Sequence, residues 1–157
     1  NMYREGRPCK CGSSGCLGRY VSALGLLGTL KEKIENGHYS IICEWVQGNL
    51  SHITAKMVSE AYDLGDKVAI ETLHETGEIL GYGLVNVINL YNPEIIIIGG
   101  GMAAANERLL KNARRIVNGH ALKISNEKCT ITTALLGDAA GMVGAAIFAK
   151  QKLEHNI

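Results

Sequence analysis

Proline appears only twice in this 157-residue chain, and phenylalanine and tryptophan once each. No apolar stretch approaches the length of a membrane span. No positively charged start leads into an apolar run, so a secretory-leader pattern is not visible. Neither sign of charge dominates: the formal net charge is +1. A nucleic-acid surface would carry a basic excess, and none is present. There is no internal repeat and no low-complexity linker. What remains is a chain rich in glycine, 19 residues, with 46% hydrophobic residues. That mixture suits a single α/β domain of long helices and many tight turns, long enough to bury one core.

Cysteine is unevenly spread. Three of the five fall in Arg7-Pro8-Cys9-Lys10-Cys11-Gly12-Ser13-Ser14-Gly15-Cys16-Leu17. Soft thiolates this close suit one tetrahedral metal ion, with Gly12 and Gly15 turning the backbone so that Cys16 returns to Cys9 and Cys11. A redox or disulfide cluster is the alternative. Cys9 and Cys11 are poorly spaced for an unstrained bridge, and unpaired Cys43 and Cys129 fit a reducing cytoplasm, so zinc is favoured. A closed structural site takes four ligands. The fourth comes either from His38, His52, His74, His120 or His155 through folding, or from chain ahead of Asn1.

Helical spacing then dominates. Tyr20, Val21, Leu24, Leu27, Leu30 and Ile34 predict one helix, stopped by Asn36-Gly37. His38 to Leu50 reads equally as a short helix or a covered loop, with Cys43 as a small buried hydrophobe. Thr54 is an N-cap for a helix bearing Met57, Val58, Ala61 and Tyr62, ending at Gly65. Asp66 caps the longest helix, to about Leu90. On it Gly77, Gly81 and Gly83 each cost about 1 kcal/mol against alanine, which points to close contact with a neighbouring helix or a second subunit. His74, among Glu71, Glu75 and Glu78, reads as part of a solvated face.

Asn92-Pro93 ends that helix, and Ile95 to Ile98 predict a strand buried on both faces. Gly99-Gly100-Gly101 follows, then a helix over Ala103 to Val117. A second strand, about Cys129 to Ala134, leads through Leu136-Gly137-Asp138-Ala139-Ala140-Gly141 into a helix ending near Leu153, with Asp138 as its cap. Strand, glycine turn and helix thus recur. Such turns set unhindered backbone amides beside a helix start, where a nucleotide can approach. Gly-Gly-Gly is nevertheless no phosphate-loop fingerprint, and tight turns are often only turns.

Cys9-x-Cys11-Gly12-x-x-Gly15-Cys16-Leu17 resembles the cysteine signature of the ROK family of sugar kinases and sugar-responsive repressors. Ile95 to Gly101 is similar to the family's nucleotide-contacting glycine segment, and Leu136 to Ala146 to its closing helix motif. The resemblance implies an α/β fold, the C-terminal lobe of an actin-like (ribonuclease H-like) ATPase. Residues 1–18 would be a zinc loop and 19–157 the lobe, with the N-terminal lobe absent. It implies structural zinc on Cys9, Cys11 and Cys16, with a histidine about ten residues ahead of Cys9 and so upstream of Asn1. ATP would meet Gly99, Gly100 and Gly101, with magnesium and the catalytic carboxylate supplied by the missing lobe. Sugar and ATP are the implied small-molecule partners, a homodimer the implied assembly, and nucleic acid a partner only through an upstream DNA-binding domain. No membrane partner is implied, and the location is cytoplasmic.

The family usually carries a sugar-binding glutamate where this chain has Gly18. Arg19 offers no acceptor to replace it, so affinity or specificity should depart from the family norm. These features imply part of an ATP-dependent hexose or N-acetylhexosamine kinase, glucokinase-like when full length and inactive as this piece alone. The alternative is the effector domain of a repressor. A zinc-stabilised structural domain whose turns bind nothing is a third reading.

Overall fold

The computed structural model describes residues 1–154. His155 and the Asp138 side chain, assigned above to a ligand role and a helix cap, lie outside the described residues. The helix predicted over Tyr20 to Ile34 is two helices, α1 (Gly18–Val21) and α2 (Ala23–Glu35). Ser22 breaks them: its backbone is extended and its Oγ accepts from the Gly25 N–H at 3.1 Å. A serine that bonds its own following turn starts a helix better than it continues one.

The ambiguous stretch holds a short helix, α3 (Ile42–Trp45), with Ile42 fully buried. Asp66 explains its placement. Oδ1 accepts from Ala69 N and caps α5 (Lys67–Tyr91), while Oδ2 accepts from Ile41 N, both at 2.8 Å. One carboxylate therefore starts the longest helix and pins the segment before it. Between them α4 (Ala55–Asp63) is capped by Thr54 and stopped by Gly65 at φ +83°.

The core lies where α5 meets α2, α4 and α6 (Glu107–His120), around Leu26, Leu30, Val58, Leu73, Ile88 and Leu110. Burying a side chain of this size contributes about 1.5–3 kcal/mol each, so these residues dominate the stability of the body. The costly glycines of α5 are accounted for by α6 and the cysteine loop. A Cβ on Gly77 would stand 2.5 Å from the Leu109 carbonyl oxygen, and one on Gly81 2.7 Å from the Ile116 Cβ. Gly83 faces Leu17. The α6 helix starts four residues later than its spacing predicted, because Gly101–Ala105 forms a tight turn and Asn106 then takes φ +45°.

β1 (Ile95–Ile98) pairs in parallel with β2 (Thr130–Thr133), Ile95 opposite Thr130 and Ile98 opposite Thr133. The connection runs through α6 and the short α7 (Lys123–Asn126). Here one expectation fails. Ile96 and Ile98 pack against the core, but Ile95 and Ile97 are 54% and 58% exposed, so β1 is covered on one face only. The closing helix α8 (Ala140–Glu154) buries none of its residues and leaves Met142, Ile147 and Phe148 open. Nothing among the described residues covers the second face of the sheet. Among them, too, no helix is long and apolar enough to cross a membrane.

Close contact at one helical glycine and open space at another predict opposite signs for two substitutions. Gly81→Ala should lower the unfolding free energy by about 1–3 kcal/mol through overpacking against Ile116. Gly144→Ala, facing open space in α8, should be neutral or gain up to about 1 kcal/mol. Chemical denaturation of the two variants checks both signs.

Candidate functional site

The cysteine loop folds back on itself. Pro8 and Ser14 form an antiparallel bridge, Cys9 N donates to Ser13 O at 2.8 Å, and Gly12 N to Cys9 O at 3.1 Å. Gly15, at φ +67°, is forced: a Cβ there would lie 1.9 Å from the Tyr3 carbonyl oxygen. The result brings the Cys9, Cys11 and Cys16 sulfurs within 4.8 Å of one another, with Cys11 and Cys16 at 3.5 Å. A tetrahedron built on zinc–sulfur bonds of about 2.3 Å has edges of about 3.8 Å. The three thiols therefore fit one zinc ion in spacing and in softness. Among the described residues the group contains no histidine, so His38, His52, His74 and His120 stay away from it.

The thiols affect one another strongly. Hydrogen bonding from the Cys11 backbone and side chain lowers Cys9 below the ordinary thiol range. Hydrogen bonding with Cys11 and Cys9 pushes Cys16 up to about 11. A cation that converts all three to thiolates must displace the Cys16 proton.

The loop is anchored to the helices by Arg7, a residue that sequence reading left as mere context for the cysteines. Its guanidinium donates from Nε to Glu32 Oε1 at 2.9 Å and from Nη2 to Glu32 Oε2 at 2.6 Å. Nη2 also reaches Thr29 Oγ1, and Nη1 reaches the Arg19 and Gly25 carbonyls. Its Cζ lies over the Tyr20 ring, 4.7 Å from the centroid. The only sequence signal was the Arg-Pro step before Cys9; its partners are up to 25 residues away.

Immediately past the cysteines, Gly18 is exposed, and a Cβ there would meet nothing within 4 Å. It lines a cleft of about 430 Å³ with Val21, Ser22, Leu80, Met102 and all three of Gly99, Gly100 and Gly101. Beside it, Arg19 Nε is buried without a hydrogen-bond partner. A second cleft, of about 370 Å³, is lined by Gly100, Gly101, Asn106, Thr133 and Gly137. Thus the two glycine turns found in the sequence border one cleft, and Gly100-Gly101 is the wall it shares with the Gly18 cleft. Asn106 and Thr133 are additions that no motif announced. Cys43 and Cys129 lie apart, half-buried, with burial raising the Cys129 thiol.

An α/β body of this kind, with a three-cysteine loop leading into one wall of a cleft and a parallel strand ending in glycines at the other, has clear relatives. The model of the ROK family matches residues 1–152. This chain belongs to the ROK family. It is 32% identical over 148 residues to a glucokinase of Halalkalibacterium halodurans, covering 94% of this chain and 44% of that protein. It is 29% identical over 136 residues to a xylose repressor of Caldicellulosiruptor bescii, covering 87% and 34%. Among solved structures, a ROK family glucokinase from Streptomyces griseus in complex with glucose and AMPPNP superposes with a TM-score of 0.78. The identity is 32%, over 93% of this chain and 48% of that one. The fold is thus that of ROK sugar kinases, built on the actin-like ATPase plan. The chain spans about half, or less, of the length of the curated relatives it matches.

The thiol pattern yields a direct test. Because Cys16 keeps its proton up to about 11, zinc binding at neutral pH must release at least one proton per ion. Apparent zinc affinity should therefore rise with pH throughout the neutral range. Cys16→Ser should abolish most of the binding. Competition against a chromophoric chelator at several pH values measures both.

Proposed function

We propose that this chain is the nucleotide-side lobe of an ATP-dependent sugar kinase acting on a hexose or an N-acetylhexosamine. The observation that carries the reading is the Gly99-Gly100-Gly101 turn. Its Gly100 and Gly101 form the shared wall of two clefts, one reaching Gly18 at the end of the cysteine loop and the other reaching Gly137. In this reading ATP takes the side of Gly100, Gly101 and Gly137, where backbone approach is unhindered. The sugar lies toward Gly18.

Phosphoryl transfer also needs a general base for the sugar hydroxyl and magnesium on the phosphates. Both come, in this reading, from a further lobe of the same polypeptide, so residues 1–157 alone transfer no phosphate. Two features support a further lobe. Ile95, Ile97 and Leu135 leave an apolar sheet face open, and α8 buries nothing. Zinc held by Cys9, Cys11 and Cys16, with a fourth ligand from upstream chain, would stabilise the loop that leads into Gly18. A homodimer is supported by exposed apolar residues at the end of α5 and at the start of α7, where Leu90, Tyr91, Leu122 and Ile124 are 60% to 74% exposed. The setting is cytoplasmic.

A repressor reading is favoured by one observation, Gly18. Losing a carboxylate acceptor is tolerable in a domain that only senses a sugar, and relatives include an N-acetylglucosamine repressor at 27% identity. DNA would then be bound by a separate upstream domain.

ADP release by the complete polypeptide, with ATP, magnesium and a panel of hexoses and N-acetylhexosamines, decides between them. Sugar-dependent turnover is the expected result. Gly18→Glu, which has open space to enter, should improve kcat/KM for glucose by about tenfold or more, the range for one regained charged hydrogen bond. Silence across the panel from folded, zinc-loaded protein overturns the kinase in favour of the repressor.

A further inference from the structure

We propose that Arg7 is the positioning residue of the metal loop: its guanidinium locks the cysteine hairpin onto α1 and α2, so that metal affinity depends on Arg7 although Arg7 touches no metal ligand atom. The inference rests on the reading of Cys9, Cys11 and Cys16 as a metal site, and it concerns residues outside that cluster.

Every N–H of the guanidinium has an acceptor. Nε and one Nη2 proton form a fork on the Glu32 carboxylate, the other Nη2 proton goes to Thr29 Oγ1, and Nη1 serves the Arg19 and Gly25 carbonyls. Thr29 is 3% exposed and in turn donates to Gly25 O at 3.2 Å, so the acceptor itself is fixed. The guanidinium lies directly over α2 at Gly28, where a Cβ would be in ordinary contact with it, 3.4 Å from Nη1. Such a planar fork loses little freedom per bond, and lysine cannot reproduce it.

The backbone of Arg7 completes the lock. Its N–H donates to Tyr20 Oη at 2.9 Å, and its carbonyl accepts from Gly15 N at 3.0 Å. Gly15 immediately precedes Cys16, whose carbonyl accepts from Arg19 N at 2.9 Å. Arg7 therefore holds both arms of the hairpin, through Pro8 to Cys9 and through Gly15 to Cys16, and fastens both to the turn that carries Gly18 and Arg19. Without it the three sulfurs would have to be gathered from a loose loop each time an ion binds. Outer partners that orient metal ligands typically contribute about 10–100-fold in affinity.

The test is a cobalt(II) titration of the protein, read by the thiolate-to-cobalt absorption band, with thermal unfolding of the helical body followed by circular dichroism. Arg7→Lys should weaken cobalt binding about tenfold or more, and Glu32→Gln should weaken it by a smaller factor. Backbone amide exchange at Cys9 and Gly15 should quicken while α5 and α6 stay protected. Arg108→Lys breaks a similar fork, with Asp63, that joins α6 to α4 and includes no residue of the loop, and it should leave cobalt affinity unchanged. Cobalt affinity within twofold of the parent in both Arg7→Lys and Glu32→Gln overturns the proposal. So does an equal loss in Arg108→Lys, which would mark a general effect of stability. Should Arg7→Lys fail to fold, Glu32→Gln decides by the same criteria. If the parent itself gives no thiolate band, the metal reading falls first, and the role of Arg7 falls with it.

Discussion

A guanidinium with all its donors satisfied is the constraint on which this molecule's functional end depends. The Arg7 guanidinium is held by a carboxylate, a hydroxyl and two carbonyls of neighbouring helical turns, with the Tyr20 ring against it. The break at Ser22 sets the Arg19 carbonyl of α1 beside the Gly25 carbonyl in the first turn of α2, and Thr29 and Glu32 follow along the same helix. Sequence, local capping and loop placement are therefore one chain of cause. The cysteines follow from it, since the same residue that grips the helices begins the hairpin that gathers the sulfurs.

Behind that loop, α5 and α6 supply rigidity by close approach. Gly77 and Gly81 sacrifice helix propensity so that the two backbones can nearly touch, and Gly83 receives Leu17 from the end of the cysteine loop. The loop thus rests on a closely packed pair of helices. The parallel strands lie on the other side and end in the glycine turns that wall the clefts. A cysteine loop and a glycine turn that border one cleft are a physical basis for a ligand bound between them.

Much of this was readable in the residues. The cysteine spacing identified the cluster, Asp66 and Thr54 were found as caps, and the α5 glycines announced a tight neighbour before that neighbour was known. Family membership followed from the same cysteines. The misreadings have physical causes. Four isoleucines in a row indicate that two faces want covering, but they do not say that the cover lies within these residues; β1 has it on one side only. A serine inside an apolar stripe was read through, because periodicity weighs hydrophobicity and ignores a side chain's competition for its own backbone. Arg7 was invisible as an anchor because its partners are scattered between Arg19 and Glu32, a pattern that only the folded chain assembles. The late start of α6 at Glu107 arose likewise from a backbone conformation at Asn106 that spacing does not encode.

Zinc K-edge X-ray absorption on the purified protein tests the central claim most directly. The account predicts about one zinc per chain, with three sulfurs at about 2.3 Å in its first coordination shell. Zinc bound with oxygen and nitrogen ligands only, or protein folded and metal-free after growth in zinc, would contradict it.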